Sequence, residues 1–115
     1  VEQRAEKAIK QLAVKKSTGL QLLAIEQLCF IKADGHYTQL NLTNGDEHLH
    51  DKAIDKLAIL LPENFVRVHR SYIVNLAEVT ALNVASGGSY HLLLANNVEI
   101  PVSRSKYQAV KGLLS

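Results

Sequence analysis

From Leu20 onward the chain is cut into apolar runs too short for helices, each closed by residues that favour turns. Residues 20–25, 28–32 and 37–43 come first, and the last run alternates polar and apolar positions through Leu40 and Leu42. A period of two sends one face of an extended segment into a core and the other into water, so these runs are expected as strands. Asn44-Gly45 follows as a two-residue hairpin signal, because both residue types tolerate positive φ, and 47–50 is the returning strand. Further strands are expected at 65–68, 72–74, 79–85, 90–95 and 99–102, with turns at Gly87-Gly88 and Asn96-Asn97.

Helical spacing appears in three places. Asp51 is placed to cap a helix over 52–61, with a stripe of Ala53, Ile54, Leu57, Ala58 and Leu61 and a stop at Pro62. Ser103 offers an N-cap for a short final helix carrying Tyr107, Val110, Leu113 and Leu114 on one face. Over 2–13, Ala5, Ala8, Ile9, Leu12 and Ala13 fit an amphipathic helix with a Lys- and Glu-rich polar face, ended by Ser17-Thr18-Gly19. Residues 1–17 are therefore expected as a linker helix leading out of an upstream domain, and 18–115 as the domain proper. Strands do not alternate with crossover helices, which excludes a doubly wound parallel sheet. The fold class is mainly β and antiparallel, with one packed helix and helices at the two ends.

A chain of 115 residues that is 47% hydrophobic suits one domain able to bury a core without disulfides or a structural metal. Its single cysteine, Cys29, has no internal partner and sits in an apolar strand, where core packing is expected. No apolar run approaches the roughly 18–20 residues that span a bilayer, and no signal-peptide pattern follows Val1. A cytoplasmic domain from a longer chain is the expectation.

The formal net charge of +2 hides an asymmetry. Residues 1–62 hold eight Lys/Arg and eight Asp/Glu, whereas 63–115 hold Arg67, Arg70, Arg104, Lys106 and Lys111 against Glu63, Glu78 and Glu99. The basic residues cluster and the acids scatter, and screening makes local clustering the relevant quantity for an anionic partner.

Catalytic and metal chemistry find little support. His48 and His50 share a strand face but lack a third ligand, so two exposed histidines beside a hairpin are the simpler expectation. Ser71, with His69 or His36 and Asp34, lacks the Gly-flanked nucleophile turn. Gly87-Gly88 precedes a strand, not a helix, so it is no phosphate loop. The chain is not expected to be an enzyme, and no cofactor is called for.

Three segments do place hydrogen-bonding side chains beside turns or a helix start. They are Lys32-Ala33-Asp34-Gly35-His36-Tyr37, Arg67-Val68-His69-Arg70-Ser71-Tyr72 and Pro101-Val102-Ser103-Arg104-Ser105-Lys106. Arg can fork onto guanine O6 and N7, while Ser hydroxyls and N–H groups at a helix start suit phosphate oxygens. Plainer roles stand beside these: Arg67 pairing with Glu63, His69 as a hydrogen-bonded structural histidine, and Tyr37 and Tyr72 as core residues with tethered hydroxyls. Arg104 resists such a reading, since a cation in the first turn opposes the helix dipole.

The run Phe65-Val66-Arg67-Val68-His69-Arg70-Ser71-Tyr72-Ile73-Val74-Asn75 resembles the signature of LytTR-type DNA-binding domains. Phe30-Ile31-Lys32-Ala33-Asp34-Gly35-His36-Tyr37-Thr38 and Ile100-Pro101-Val102-Ser103-Arg104 match that family's other two motifs in order and spacing, so the resemblance covers about residues 18–112. It implies an elongated fold of short antiparallel sheets with a packed helix. It also implies the C-terminal output half of a bacterial two-component response regulator, behind a phosphorylatable receiver domain, that regulates transcription. Such domains bind duplex DNA through loops, typically at direct repeats. Carried over, His36 and Arg104 are base contacts in successive major grooves. Arg70, where some members have Asn, faces the intervening minor groove and suits narrow A·T-rich width. Tyr37, Ser71, Ser103, Ser105 and Lys106 are the phosphate candidates. A homodimer on DNA is compatible with this, and a protein-interaction or sensory β-module without DNA binding is the alternative.

Overall fold

The computed structural model describes residues 9–115. Strands β1 (Gln11–Lys16) and β2 (Gly19–Ala24) form a hairpin of their own. β3 (Leu28–Asp34), β4 (Tyr37–Leu42), β5 (Glu47–His50), β6 (Phe65–His69) and β7 (Tyr72–Asn75) make a five-stranded sheet in the order β5-β4-β3-β7-β6. β8 (Val79–Val84), β9 (Tyr90–Leu94) and β10 (Glu99–Val102) make a three-stranded sheet with β9 central. Every pairing is antiparallel, and the molecule measures 47 × 33 × 24 Å. Helix α1 (Ile54–Leu60) joins β5 to β6, and α2 (Arg104–Leu114) follows β10.

The five-stranded sheet separates two cores. Ile31 pairs with Leu40 on one side and Ile73 on the other, and this row packs against the β1–β2 hairpin and α1. One residue earlier, Phe30 pairs with Val74, and that row packs against the three-stranded sheet and Val110 of α2. Residues 28–31 are buried on both faces, which is why β3 reads as an unbroken apolar run while β4 alternates. Asn75 fastens β7 to β3 where the β3–β4 register slips: its Nδ2 donates to Leu28 O at 2.9 Å, and its Oδ1 accepts from Asn64 Nδ2 and Ala77 N, each at 3.0 Å.

Several expectations change. Residues 11–13 are strand, not helix, and Leu12 and Val14 enter the first core while their neighbours stay exposed. Helical spacing there coincided with a strand alternation that only pairing with β2 selects; residues 9–10 are not helical either, 14–16 continue the strand, and the rest of the expected linker helix, 1–8, lies outside the described residues. Helix α1 begins at Ile54 with Ala53 in the N-cap position, because Lys52 N donates to His50 Nδ1 at 3.0 Å and holds 50–52 in a turn. Asp51 instead takes an ion pair from Lys15 at 3.2 Å, which holds its carboxyl below the usual range. The Asn44-Gly45 hairpin has a three-residue loop, since Leu42 N bonds Asp46 O and Gly45 N bonds Leu42 O. Only Gly45 there has positive φ, 95°, while the Asn44 side chain accepts from Asp46 N. On α2, Leu113 and Leu114 are exposed, and the helix is held by buried Val110 and by Tyr107 stacked on Tyr90 at 3.8 Å.

Cys29 is fully buried, and burial, with Glu78 nearby, pushes its thiol up to about 11. That is a packed thiol, not a nucleophile. His50 is also buried rather than exposed, with burial lowering its pKa, and His48 Nδ1 lies 3.3 Å from Lys16 Nζ. Among the described residues, no group of three or more His, Cys, Asp or Glu side chains is placed to hold a metal ion. No described helix is long and apolar enough to cross a membrane.

Candidate nucleic-acid interface

The three motifs meet along one edge. Ala33 N donates to Ser71 O at 2.8 Å, tying the end of β3, just before its turn to β4, to the β6–β7 turn. Ser103 N donates to Val68 O at 2.9 Å, tying the β6–β7 hairpin to the start of α2. Segments some seventy residues apart in the chain, from 33 to 103, are thus joined by backbone bonds, which hold through any side-chain rearrangement.

The β6–β7 turn is the middle of this edge, and it is built without glycine. His69 pairs with Tyr72 across Arg70-Ser71, and a register slip at Val68 lets the strand bend. Side chains supply the support: Ser71 N donates to His69 Nδ1 at 3.1 Å, and Arg67 Nε donates to His69 O at 3.0 Å. Arg67 Nη2 also donates to Arg70 O, while Nη1 pairs with Asp55 of α1 at 2.8 Å. His69 is therefore a structural histidine, with its ring edge on Tyr72 at 5.7 Å. Arg67 is a clamp on the turn, and its carboxylate partner is Asp55, a residue of another element that local pairing rules do not find.

Between this turn and α2 lies an open cleft of about 620 Å³ lined by Arg67, His69, Arg70, Ser103, Ser105 and Lys106. Among the described residues, no carboxylate lines it. Ser103 occupies the N-cap position of α2 but makes no side-chain cap bond; its hydroxyl lies 3.4 Å from that of Ser105. Both hydroxyls thus stand at a helix N-terminus, where unpaired N–H groups and the helix dipole favour anions. Cations, hydroxyls and a helix start around one cleft suit a phosphodiester oxygen.

The other candidates stand apart from the cleft. His36 and Tyr37 are exposed on the adjacent β3–β4 turn, so Tyr37 is not a core residue; its ring lines an apolar groove with Leu20 and Leu49. Tyr72 is half-buried, 6.3 Å from Phe30, with the Lys32 ammonium 6.0 Å above its ring. Arg104 is exposed and does not line the cleft; a Cβ built on Gly88 would stand 3.7 Å from its Nη2. Arg70, Ser103, Ser105 and Lys106 are thus gathered in one place, with Arg104 on one flank and Ser71, His36 and Tyr37 on the other.

A family model described as the LytTr DNA-binding domain matches residues 18–115. The chain belongs to the LytTR family. The CO-responsive transcriptional regulator RcoM of Rhodospirillum rubrum is 33% identical over 87 residues, 75% of this chain and 37% of that protein. The sensory transduction protein LytT of Bacillus anthracis is 28% identical over 105 residues, 90% of this chain and 42% of that protein. Among solved structures, the LytTr DNA-binding domain of a Bacillus cereus response regulator shares the fold with a TM-score of 0.82 and 24% identity. That match covers 94% of this chain and 99% of that one. The chain spans between 37% and 42% of the length of the first relatives it matches. As a LytTR domain it is a DNA-binding module of the kind found in transcriptional and response regulators, and its mainly β, antiparallel fold is the family's.

Proposed function

We propose that this LytTR domain reads duplex DNA in a sequence-specific way with the turns along its tied edge. His36 and Arg104 enter successive major grooves and contact base edges; Arg70 faces the minor groove between them. Ser71, Ser103, Ser105, Lys106 and Tyr37 take phosphate oxygens and set the register. The domain acts by binding and not by catalysis, in the cytoplasm, as the transcription-regulating output of a longer chain. A phosphorylatable receiver would sit upstream, and the targets would be direct repeats occupied by two copies.

The observation that supports this reading most is the pair of backbone bonds, Ala33 N to Ser71 O and Ser103 N to Val68 O, which hold the motifs in fixed order along one edge. Loops spaced in that way can follow a duplex across neighbouring grooves without a recognition helix. The carboxylate-free cleft at the centre supports it further, since phosphate contacts carry much of the affinity and its salt dependence.

The test is selection from a random duplex library at near-physiological salt, with sequencing of what the domain retains. Enrichment of a short motif, best as a direct repeat, is expected. Retention without enrichment would leave electrostatic binding only and refute the assignment of base readers. No retention would favour a protein-interaction module.

A further inference from the structure

We propose that the β8–β9 turn, residues 86–89, is a fourth DNA-contacting loop, resting on the phosphodiester backbone that borders the groove entered by Arg104. The proposal builds on the reading of Arg104 as a groove-entering residue.

Register places the turn there. Val84 pairs with Tyr90, and Tyr90 pairs with Val102, so the end of β8, the start of β9 and the end of β10 form one row across the sheet. The turn and the Ser103-Arg104 step therefore leave the sheet from the same end. The Tyr90–Tyr107 stack, 3.8 Å between ring centres and 17° between planes, fixes the first turns of α2 against that row. Arg104 confirms the proximity, with its Nη2 3.7 Å from where a Gly88 Cβ would stand. The major groove is about 12 Å wide, so an element this close to a guanidinium that enters it stands over the groove or its bordering strand.

The chemistry of the turn fits a phosphate strand. Ser86-Gly87-Gly88-Ser89 carries no charge and no bulky side chain, and its two serines are exposed. Gly87 and Gly88 have φ of 87° and 82°, a path that other residues adopt only with strain. Gly88 N closes the turn on Ala85 O at 3.1 Å, and without bulky side chains there a phosphate strand can come close to the remaining backbone and to the hydroxyls of Ser86 and Ser89. The acids of this sheet lie at its far end. Glu78 immediately precedes Val79, which pairs with Leu94, and Glu99 pairs with Leu93, beside the 95–97 turn. Among the described residues of this sheet, the end that carries residues 86–89 holds no carboxylate to repel DNA.

Ser86→Lys and Asn96→Lys test this, one at each end of the same sheet, with Arg104→Ala measured alongside. Binding to the duplex recovered by selection, and to random-sequence duplex, is followed by fluorescence anisotropy across a salt series. Ser86→Lys is expected to tighten binding to both duplexes and to steepen the plot of log affinity against log salt by about one unit. Asn96→Lys is expected to leave that slope unchanged. Equal slopes for the two lysine variants, with Arg104→Ala still losing affinity for the selected sequence, would overturn the fourth loop and leave the reading of Arg104 intact. An Arg104→Ala variant with full affinity and specificity would overturn that reading, and with it the groove assigned to the turn.

Discussion

Arg67 is half-buried, with its side chain 23% exposed, and its donors go to His69 O, Arg70 O and Asp55. Replacing it with Ala removes these bonds but no part of the proposed contact surface on Arg70 or Ser71. A hydrogen bond from a charged donor contributes about 1.5–3 kcal/mol when well shielded. Here the acceptors sit at a surface turn that water can reach, so the two carbonyl bonds together are put at about 2 kcal/mol. Asp55 is 81% exposed, and the ion pair adds only about 0.2–1 kcal/mol. Arg67→Ala should therefore lower unfolding free energy by about 2–3 kcal/mol, read from urea denaturation.

The effect on DNA follows from the released turn. If Arg70 and Ser71 must be ordered on binding, part of the roughly 1–2 kcal/mol per residue of backbone entropy falls on the complex. A loss of about five- to thirtyfold in affinity results, with specificity near Arg70 blurred. The salt slope should not change, because the Arg67 charge is already engaged by Asp55 in the free domain. An Arg67→Ala/Arg70→Ala double variant should lose less than the sum of the two single variants, because part of the Arg67 effect acts through Arg70. A slope that drops by about one unit, or a double variant with additive losses, would make Arg67 a direct phosphate contact and refute the clamp.

The remaining predictions concern readout, the β3–β7 junction and pH. Arg104→Ala should cost about 1–3 kcal/mol on the selected sequence and relax preference at one base step, while Lys106→Ala should weaken all sequences alike and flatten the salt slope by about one unit. Equal losses on every sequence for Arg104→Ala would show that it does not read bases. Asn75→Ala leaves Leu28 O buried without its side-chain donor and should cost about 2–3 kcal/mol in urea denaturation; a loss under about 0.5 kcal/mol would mean the junction holds without it. His50 has its pKa lowered from 6.5, chiefly by burial, with Asp51 at 3.7 Å partly opposing. The unfolded chain thus takes up the proton first, and stability present above about pH 6.5 is lost as pH falls through the lower folded value. A His50→Asn variant, which keeps an acceptor for Lys52 N, should flatten that slope, and an unchanged pH profile would locate the titration elsewhere.

Much of the fold was legible because its signals are local. The strand through Leu40 and Leu42 and the stripe at Ile54, Leu57 and Leu61 appear as expected, as does the double-glycine turn at 87–88, although Asn41, the polar position between Leu40 and Leu42, is buried too. The failures are also physical. Gln11-Leu12-Ala13-Val14 satisfies helical and strand spacing at once, and the presence of β2 alongside decides between them. Asp51 is an acceptable cap by type, yet Lys15 from another strand claims its carboxylate. His50 looks exposed by composition, but it sits opposite Thr38 in the β4–β5 pair, whose hydroxyl donates to Lys52 O at 3.2 Å.

The site divides along the same line. Residue types alone marked out the three segments and left Arg104 without a local role, while the resemblance to the LytTR family nominated His36, Arg70, Arg104 and their serine and lysine neighbours as DNA contacts. The sequence by itself determined the strand and turn pattern and the order of the motifs, because these depend on residues a few positions apart. Only the tertiary structure decided that the β3–β4 turn, the β6–β7 turn and the start of α2 share an edge, that Arg67 clamps the middle turn through Asp55, and that Gly88 lies beside Arg104. Those contacts join residues from 12 to 38 positions apart, and which of them form is set by sheet register and core packing, not by local preference.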